Sequence, residues 1–248
     1  MKIAILTPSR GRSKGLFNFF ESVCKTVSPD NQIYFDFEID NNDPHKSEYY
    51  DLLSLALSRK PDNVRLTMFE SDQKSVGAIW NDLAKLRRWC DSADWFIMGN
   101  DDLIYTTQNW DKILEEKINE KNHPFFCYWF NDGINGVNHC AFPVISKHWV
   151  SLLGGFTAEH FRFFFHDTWV FDIAKRAGVA VYIPEVEISH NHFSKDNTLY
   201  DETYAQWRVD NTHDIDTHTY KDSERVRQNM SETLFGQIGH YLNEKSKK

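Results

Sequence analysis

The chain has 248 residues, 41% hydrophobic and 15% aromatic, which is enough for one large α/β domain or two small ones and excludes a largely disordered chain. Its formal charge of −8 argues against indiscriminate coating of nucleic acid, although residues 1–31 hold five basic side chains against two acidic ones and leave a local basic track. No apolar run approaches about eighteen residues, so no membrane span is expected, and the apolar stretch in MKIAILTPSR is too short for a secretory leader.

In chain order, KIAIL (2–6) reads as a buried strand leaving into the loop TPSRGRSKG. Apolar residues at helical spacing follow in LFNFFESVCKTV (16–27). QIYFDFEID (32–40) alternates and ends in the turn signal NNDP, so it is a second strand. A helix over 47–60, a strand over 63–70, a helix over 75–90 and a strand over 94–99 complete four strand–helix alternations. Short links between them predict a parallel sheet built from right-handed crossovers.

Beyond Asp102 the rhythm changes. A helix (109–121) leads to the aromatic strand in HPFFCYWFND, then a helix near 168–177 and a strand over 179–190. The tail from 191 is polar and closes with a helix near 222–243, so this half reads as mixed. The run FFCYWF is expected to be strand core, LLGGF a turn or hinge, and THDIDTHTY (212–220) a solvated loop in preference to a second metal cluster. Cys24, Cys90, Cys127 and Cys140 form no CxxC pair. They read as reduced, mostly buried thiols of a cytoplasmic protein.

Ligands of open parallel sheets sit outside the carboxyl ends of the strands. Thr7 to Arg10, Asp40, the triplet Asn100–Asp101–Asp102 and His190 fall at such ends. Carboxylates and an imidazole brought together from distant strands suit a divalent cation such as Mn2+ or Mg2+. Taken alone, the triplet also reads as an ordinary turn with a helix cap.

The motifs ILTPSRGR, an acid after strand two, GAIWN before strand four, MGNDDL, GGF, FHDTW and a late histidine recur here in a telling order. Over roughly residues 1–192 that order resembles the nucleotide-sugar glycosyltransferases of the GT-A fold, nearest the family 2 type. The resemblance implies a Rossmann-like α/β fold with a mostly parallel central sheet flanked by helices. The chain reads as a single domain over 1–248, with a nucleotide-binding half (1–102), a mixed acceptor-side half (103–192) and a polar C-terminal extension (193–248).

By the same resemblance, Thr7, Pro8, Ser9 and Arg10 line the nucleotide pocket and Asp40 bonds the base or ribose. Gly77 and Asn81 pack beside the nucleoside. Asn100, Asp101 and Asp102 fall on the DxD motif, with Asp102 binding the cation that clamps the diphosphate and His190 or His192 as the late metal ligand. Asp167 falls on the acid that takes the acceptor proton in inverting members. Two positions depart from the pattern: Asn100 replaces the first acid of DxD, and His166 replaces the glutamate before the catalytic acid.

The parts fit such chemistry on their own terms. Leaving phosphates need their charge neutralised, by a metal or by Arg10 of the SRGR loop, and an acceptor hydroxyl needs a base. Asp167 lies among Phe163, Phe164, Phe165 and Trp169, which predicts a partly desolvated carboxylate, and it is also placed to cap the helix TWVFDIAKRAG. The expected function is metal-dependent transfer from a nucleoside-diphosphate sugar, UDP-linked, to an acceptor hydroxyl on a polysaccharide precursor or a hydroxymethylated DNA base. A non-catalytic nucleotide-sugar binding module and a sugar nucleotidyltransferase are the alternatives. Dinucleotide oxidoreduction is disfavoured, since no GxGxxG follows a strand.

Overall fold

The computed structural model of the chain describes residues 1–90, 92–191 and 210–247. Its first half alternates as expected: β1 (Lys2–Ser9), α1 (Ser13–Thr26), β2 (Gln32–Asp40), α2 (Lys46–Arg59), β3 (Val64–Ser71), α3 (Val76–Trp89) and β4 (Trp95–Met98). The second half holds β5 (Leu103–Tyr105), α4 (Trp110–Asn119), β6 (Cys127–Asn131), β7 (Val144–Ser146), α5 (Lys147–Leu153), α6 (His166–Arg176), β8 (Ala180–His190), α7 (Thr212–Asp222) and α8 (Glu224–Lys245).

Among the described residues these strands form one eight-stranded sheet in the order β3-β2-β1-β4-β7-β6-β8-β5. β3, β2, β1 and β4 run parallel to their neighbours. β7 is antiparallel to β4 and β6, β8 is parallel to β6, and β5 closes the edge antiparallel to β8. The sheet is therefore parallel on the amino-terminal side and mixed beyond it.

Side-chain alternation along β1 shows why helices cover both faces. Ile3 and Ile5 join the core with Leu16, Phe19, Phe20, Tyr49 and Trp110. Ala4 and Leu6 point the other way, into a core with Ile79, Trp80, Trp149, Trp169 and Leu234. The fully buried Asp36 of β2 is held by a two-pronged ion pair with Arg87 of α3. Burial pushes the Asp36 carboxyl up, and the Arg87 hydrogen bond and charge oppose it.

Several local expectations change. β1 continues past Leu6 to Ser9 because Thr7, Pro8 and Ser9 stay in register with Phe37, Glu38 and Ile39 of β2. The three-residue strands β5 and β7 and the seven-residue helix α5 are too short for periodicity to reveal. LLGGF is neither a simple turn nor a separate hinge: Leu152 and Leu153 end α5, and Gly154 terminates the helix at φ +84°. Cys127 and Cys140 are buried, but Cys90 is exposed. THDIDTHTY is helix α7 rather than a solvated loop, and its Asp216 is fully buried. Among the described residues, no helix is long and apolar enough to cross a membrane.

Candidate functional site

The carboxyl ends of β1, β2, β4 and β8 converge on a cavity of about 510 Å³. Pro8, Ser9, Arg10 and Asp40 line it together with Asn100, Asp101 and His190 and with Phe163, Phe164, Phe165, His166 and Asp167. Arg10 donates to Asp40 (2.6 Å) and to Asn42 (2.7 Å), so the arginine after β1 and the acid ending β2 are one unit. Thr7 lies beneath the cavity wall, fully buried, its hydroxyl against the space that Gly99 leaves by having no side chain.

Asp101 is the anchor of the turn after β4. Ser9 Oγ donates to one of its oxygens (2.8 Å) and Arg12 to the other (3.2 Å). Burial dominates its environment and pushes the carboxyl up to about 6, with the Arg12 charge pulling the other way and Asp102 adding to the rise. The carboxylate is thus consumed in fixing the turn, which frees its neighbour.

Asp102 faces a second cavity of about 440 Å³, lined also by Arg12, Lys14 and Asn191. Its Oδ2 lies 3.4 Å from His190 Nε2, both side chains being 11% exposed. The contact follows from register: Leu103 of β5 pairs with His190 of β8, and Asn191 N–H donates to the Asp102 carbonyl (2.9 Å). Asp102 Oδ1 is buried without a hydrogen-bond partner among the described residues. An orphaned carboxylate oxygen beside an imidazole is a donor set that fits Mn2+ or Mg2+. No group of three or more His, Cys, Asp or Glu side chains gathers around a single point among the described residues. Two protein donors suit a cation that completes its shell with substrate phosphates and water. His192 lies outside the described residues.

Asp167 sits in the first turn of α6 rather than capping it; Phe165 precedes the helix in left-handed conformation. Asp167 Oδ1 accepts the Thr168 backbone N–H (2.6 Å), and Oδ2 meets His139 Nε2 at 2.7 Å. His139 comes from the loop between β6 and β7, and nothing in its sequence spacing marks it. The preceding His166 is buried, which lowers its imidazole to about 4 and keeps it neutral at neutral pH.

Gly77 and Asn81 are not among the cavity's walls. A side chain at Gly77 would meet His166 Cε1 at 2.5 Å and the Ala158 carbonyl at 2.6 Å, so only glycine lets α3 and α6 approach this closely. Asn81 accepts the backbone N–H groups of Phe156 (2.7 Å) and Thr157 (3.0 Å) and donates to Glu159 (2.9 Å). Both residues brace the 155–166 segment and neither lines the cavity.

That segment is held from its other end by α7. Asp216 accepts the backbone N–H groups of Arg162 (2.9 Å), Phe163 (2.9 Å) and Phe164 (2.8 Å). His213, one turn earlier, lies edge-on to Phe164 at 5.1 Å and joins the cavity wall with Asn211. The alternating HDID in the tail is the only sequence trace of this clamp.

No protein-family model and no curated protein matches the sequence. Solved structures do. S. aureus TarS 1–349, in complex with UDP, aligns with TM-score 0.56 at 11% identity, over 75% of this chain and 60% of that one. The S. aureus TarS structure gives TM-score 0.57 at 10% identity, over 79% and 38%. The mannosyltransferase PcManGT from Pyrobaculum calidifontis, in complex with GDP-Man and Mn2+, gives 0.61 at 9% identity, over 98% and 74%. The chain thus spans less than two thirds of either TarS chain. At such identities the likeness is one of architecture, and it agrees with the strand order and the mixed second half: this chain has a GT-A-like fold.

Proposed function

We propose that the chain is a glycosyltransferase that moves a sugar from a nucleoside-diphosphate donor to an acceptor hydroxyl with the help of a divalent cation. The observation that carries this reading is the pairing of Asp102, one oxygen orphaned among the described residues, with His190, which itself lines the cavity shared by Arg10, Asp40 and Asp167. Structural neighbours that bind UDP, or GDP-Man with Mn2+, support it at the level of fold.

In this reading the nucleoside lies against Pro8, Arg10 and Asp40, and Asp40 meets the base or ribose. Asp102 and His190 would hold the cation, which would supply positive charge beside the diphosphate. Arg12 and Lys14 add positive charge beside the same turn. Asp167 accepts the proton as the acceptor oxygen forms its bond to the anomeric carbon. The anomeric carbon–oxygen bond breaks with its electron pair going to the diphosphate. The aromatic wall of Phe163, Phe164 and Phe165 presents flat apolar faces to the acceptor.

The test is release of nucleoside diphosphate from UDP-glucose and from GDP-mannose, with Mn2+ and with chelator. Metal-dependent release from one donor supports transfer. Tight donor binding without release in any condition would instead make the chain a binding module.

A further inference from the structure

The loop between β6 and β7 carries His139, which is not among the residues lining the cavity. Asp132 pins this loop by accepting the N–H groups of Ile134 (3.0 Å), Asn135 (2.7 Å) and Gly136 (3.2 Å), and Trp129 Nε1 donates to the Gly136 carbonyl (3.0 Å). His139 follows directly, its ring edge-on to Phe171 at 5.6 Å. Its Nε2 lies 2.7 Å from Asp167 Oδ2, while Thr168 donates its N–H (2.6 Å) and hydroxyl (3.2 Å) to Oδ1. Both oxygens of Asp167 are therefore fixed, each from a different element, and both side chains of the pair keep 28% exposure toward solvent. A carboxylate held at both oxygens cannot swing away from the cavity it lines.

We propose that His139 is the positioning residue for Asp167, holding its carboxylate toward the acceptor and governing proton uptake through its own charge. This rests on Asp167 being the base. The charged and titratable groups facing His139 are Asp167 and Lys175 of α6, Asp132 of its own loop, and the adjacent Cys140 thiol, which burial pushes up and so keeps protonated. Burial alone would lower the imidazole. The Asp167 hydrogen bond and charge, with Asp132, outweigh burial and the repulsion of Lys175, so its value is raised. A charged imidazole holds Asp167 in an ion pair and opposes uptake of the acceptor proton; a neutral one orients it without that charge. Turnover should therefore fall as pH drops through the His139 titration.

His139→Ala and His139→Gln test this, with hydrolysis of UDP-glucose and GDP-mannose in Mn2+ as the reaction. The alanine variant is expected to lose about tenfold or more in kcat with donor KM little changed. Glutamine, whose amide N–H can still reach Asp167 but cannot titrate, should recover most of that loss and move the acid limb of kcat to lower pH. Equal kcat in all three proteins, a defect confined to donor KM, or an acid limb unmoved in the glutamine variant would overturn the proposal. NMR titration of the His139 ring in the parent and in Asp167→Asn gives a reading independent of catalysis. A lower midpoint in the variant supports the pair, and an unmoved one refutes it. If the parent turns over neither donor, the transferase reading fails, and the NMR result alone decides whether His139 holds Asp167.

Discussion

The buried carboxylate of Asp216 accepts the backbone N–H of Phe164 at 2.8 Å, joining helix α7 to the aromatic wall beside Asp167. With Arg162 and Phe163 it gathers three backbone donors on one side chain. Asp216→Ala leaves all three part-buried N–H groups without that acceptor and should destabilise the protein by about 2–4 kcal/mol, less than three fully buried donors would cost at about 1–3 kcal/mol each, because water can reach the exposed end of the loop. Thermal melting measures it. An unchanged Tm would mean that the 162–164 loop holds its shape without α7.

Asp102→Ala should abolish cation-dependent donor binding, because it removes the carboxylate with the orphaned oxygen. Calorimetric titration of a UDP-sugar with and without Mn2+ reads this directly, and equal affinity in variant and parent would exclude Asp102 as a ligand. His190→Ala should raise the Mn2+ concentration needed for donor hydrolysis. His192→Ala is the companion measurement: a larger effect there assigns the ligand to His192.

Asp167→Asn is expected to keep donor affinity nearly intact while lowering turnover by roughly 10² or more, the scale of a lost general base. Comparing donor Kd with kcat separates the outcomes. Loss of binding and turnover together would make Asp167 a structural member of the first turn of α6.

Gly77→Ala adds a carbon 2.5 Å from His166 Cε1 and 2.6 Å from the Ala158 carbonyl, one of them backbone. Either α3 must move, or the Ala158 backbone and the His166 ring must both give way. The expected cost is about 1–3 kcal/mol, typical of overpacking, with a loss of turnover because Asp167 follows His166. Wild-type Tm and kcat in this variant would show that the contact is easily relieved.

The Asp101 carboxyl, raised by burial to about 6, predicts a pH effect of definite sign. An acid whose folded value lies above its unfolded value binds protons more readily in the native state. Its contribution to stability is fully present below about 4, its ordinary range, and is lost as pH rises through about 6. Asp101→Asn does not titrate, so its Tm relative to the parent should rise between pH 4 and pH 7 in metal-free buffer. A constant difference across that window would place the Asp101 titration at its ordinary value.

Sequence alone determines the amino-terminal architecture, because its signals are local. Apolar runs such as KIAIL, alternating with helical periods, dictate parallel strands, and strands of that kind bring Asp40 and the Asn100–Asp102 turn to one edge. The same alternation, through β8, carries His190 to that edge. Only the tertiary structure decides which carboxylate is spent on the scaffold and which is left for a ligand. Asp101 and Asp102 are chemically identical in sequence, yet Ser9 and Arg12 hold the first while Asp102 keeps an oxygen without a hydrogen-bond partner among the described residues. The roles of Gly77 and Asn81 as braces, the His139–Asp167 pair and the Asp216 clamp are likewise set by packing between elements far apart along the chain. Local periodicity reports which face of an element is apolar. It carries no information about which distant backbone N–H or imidazole that face will meet, and those meetings are what position the candidate base.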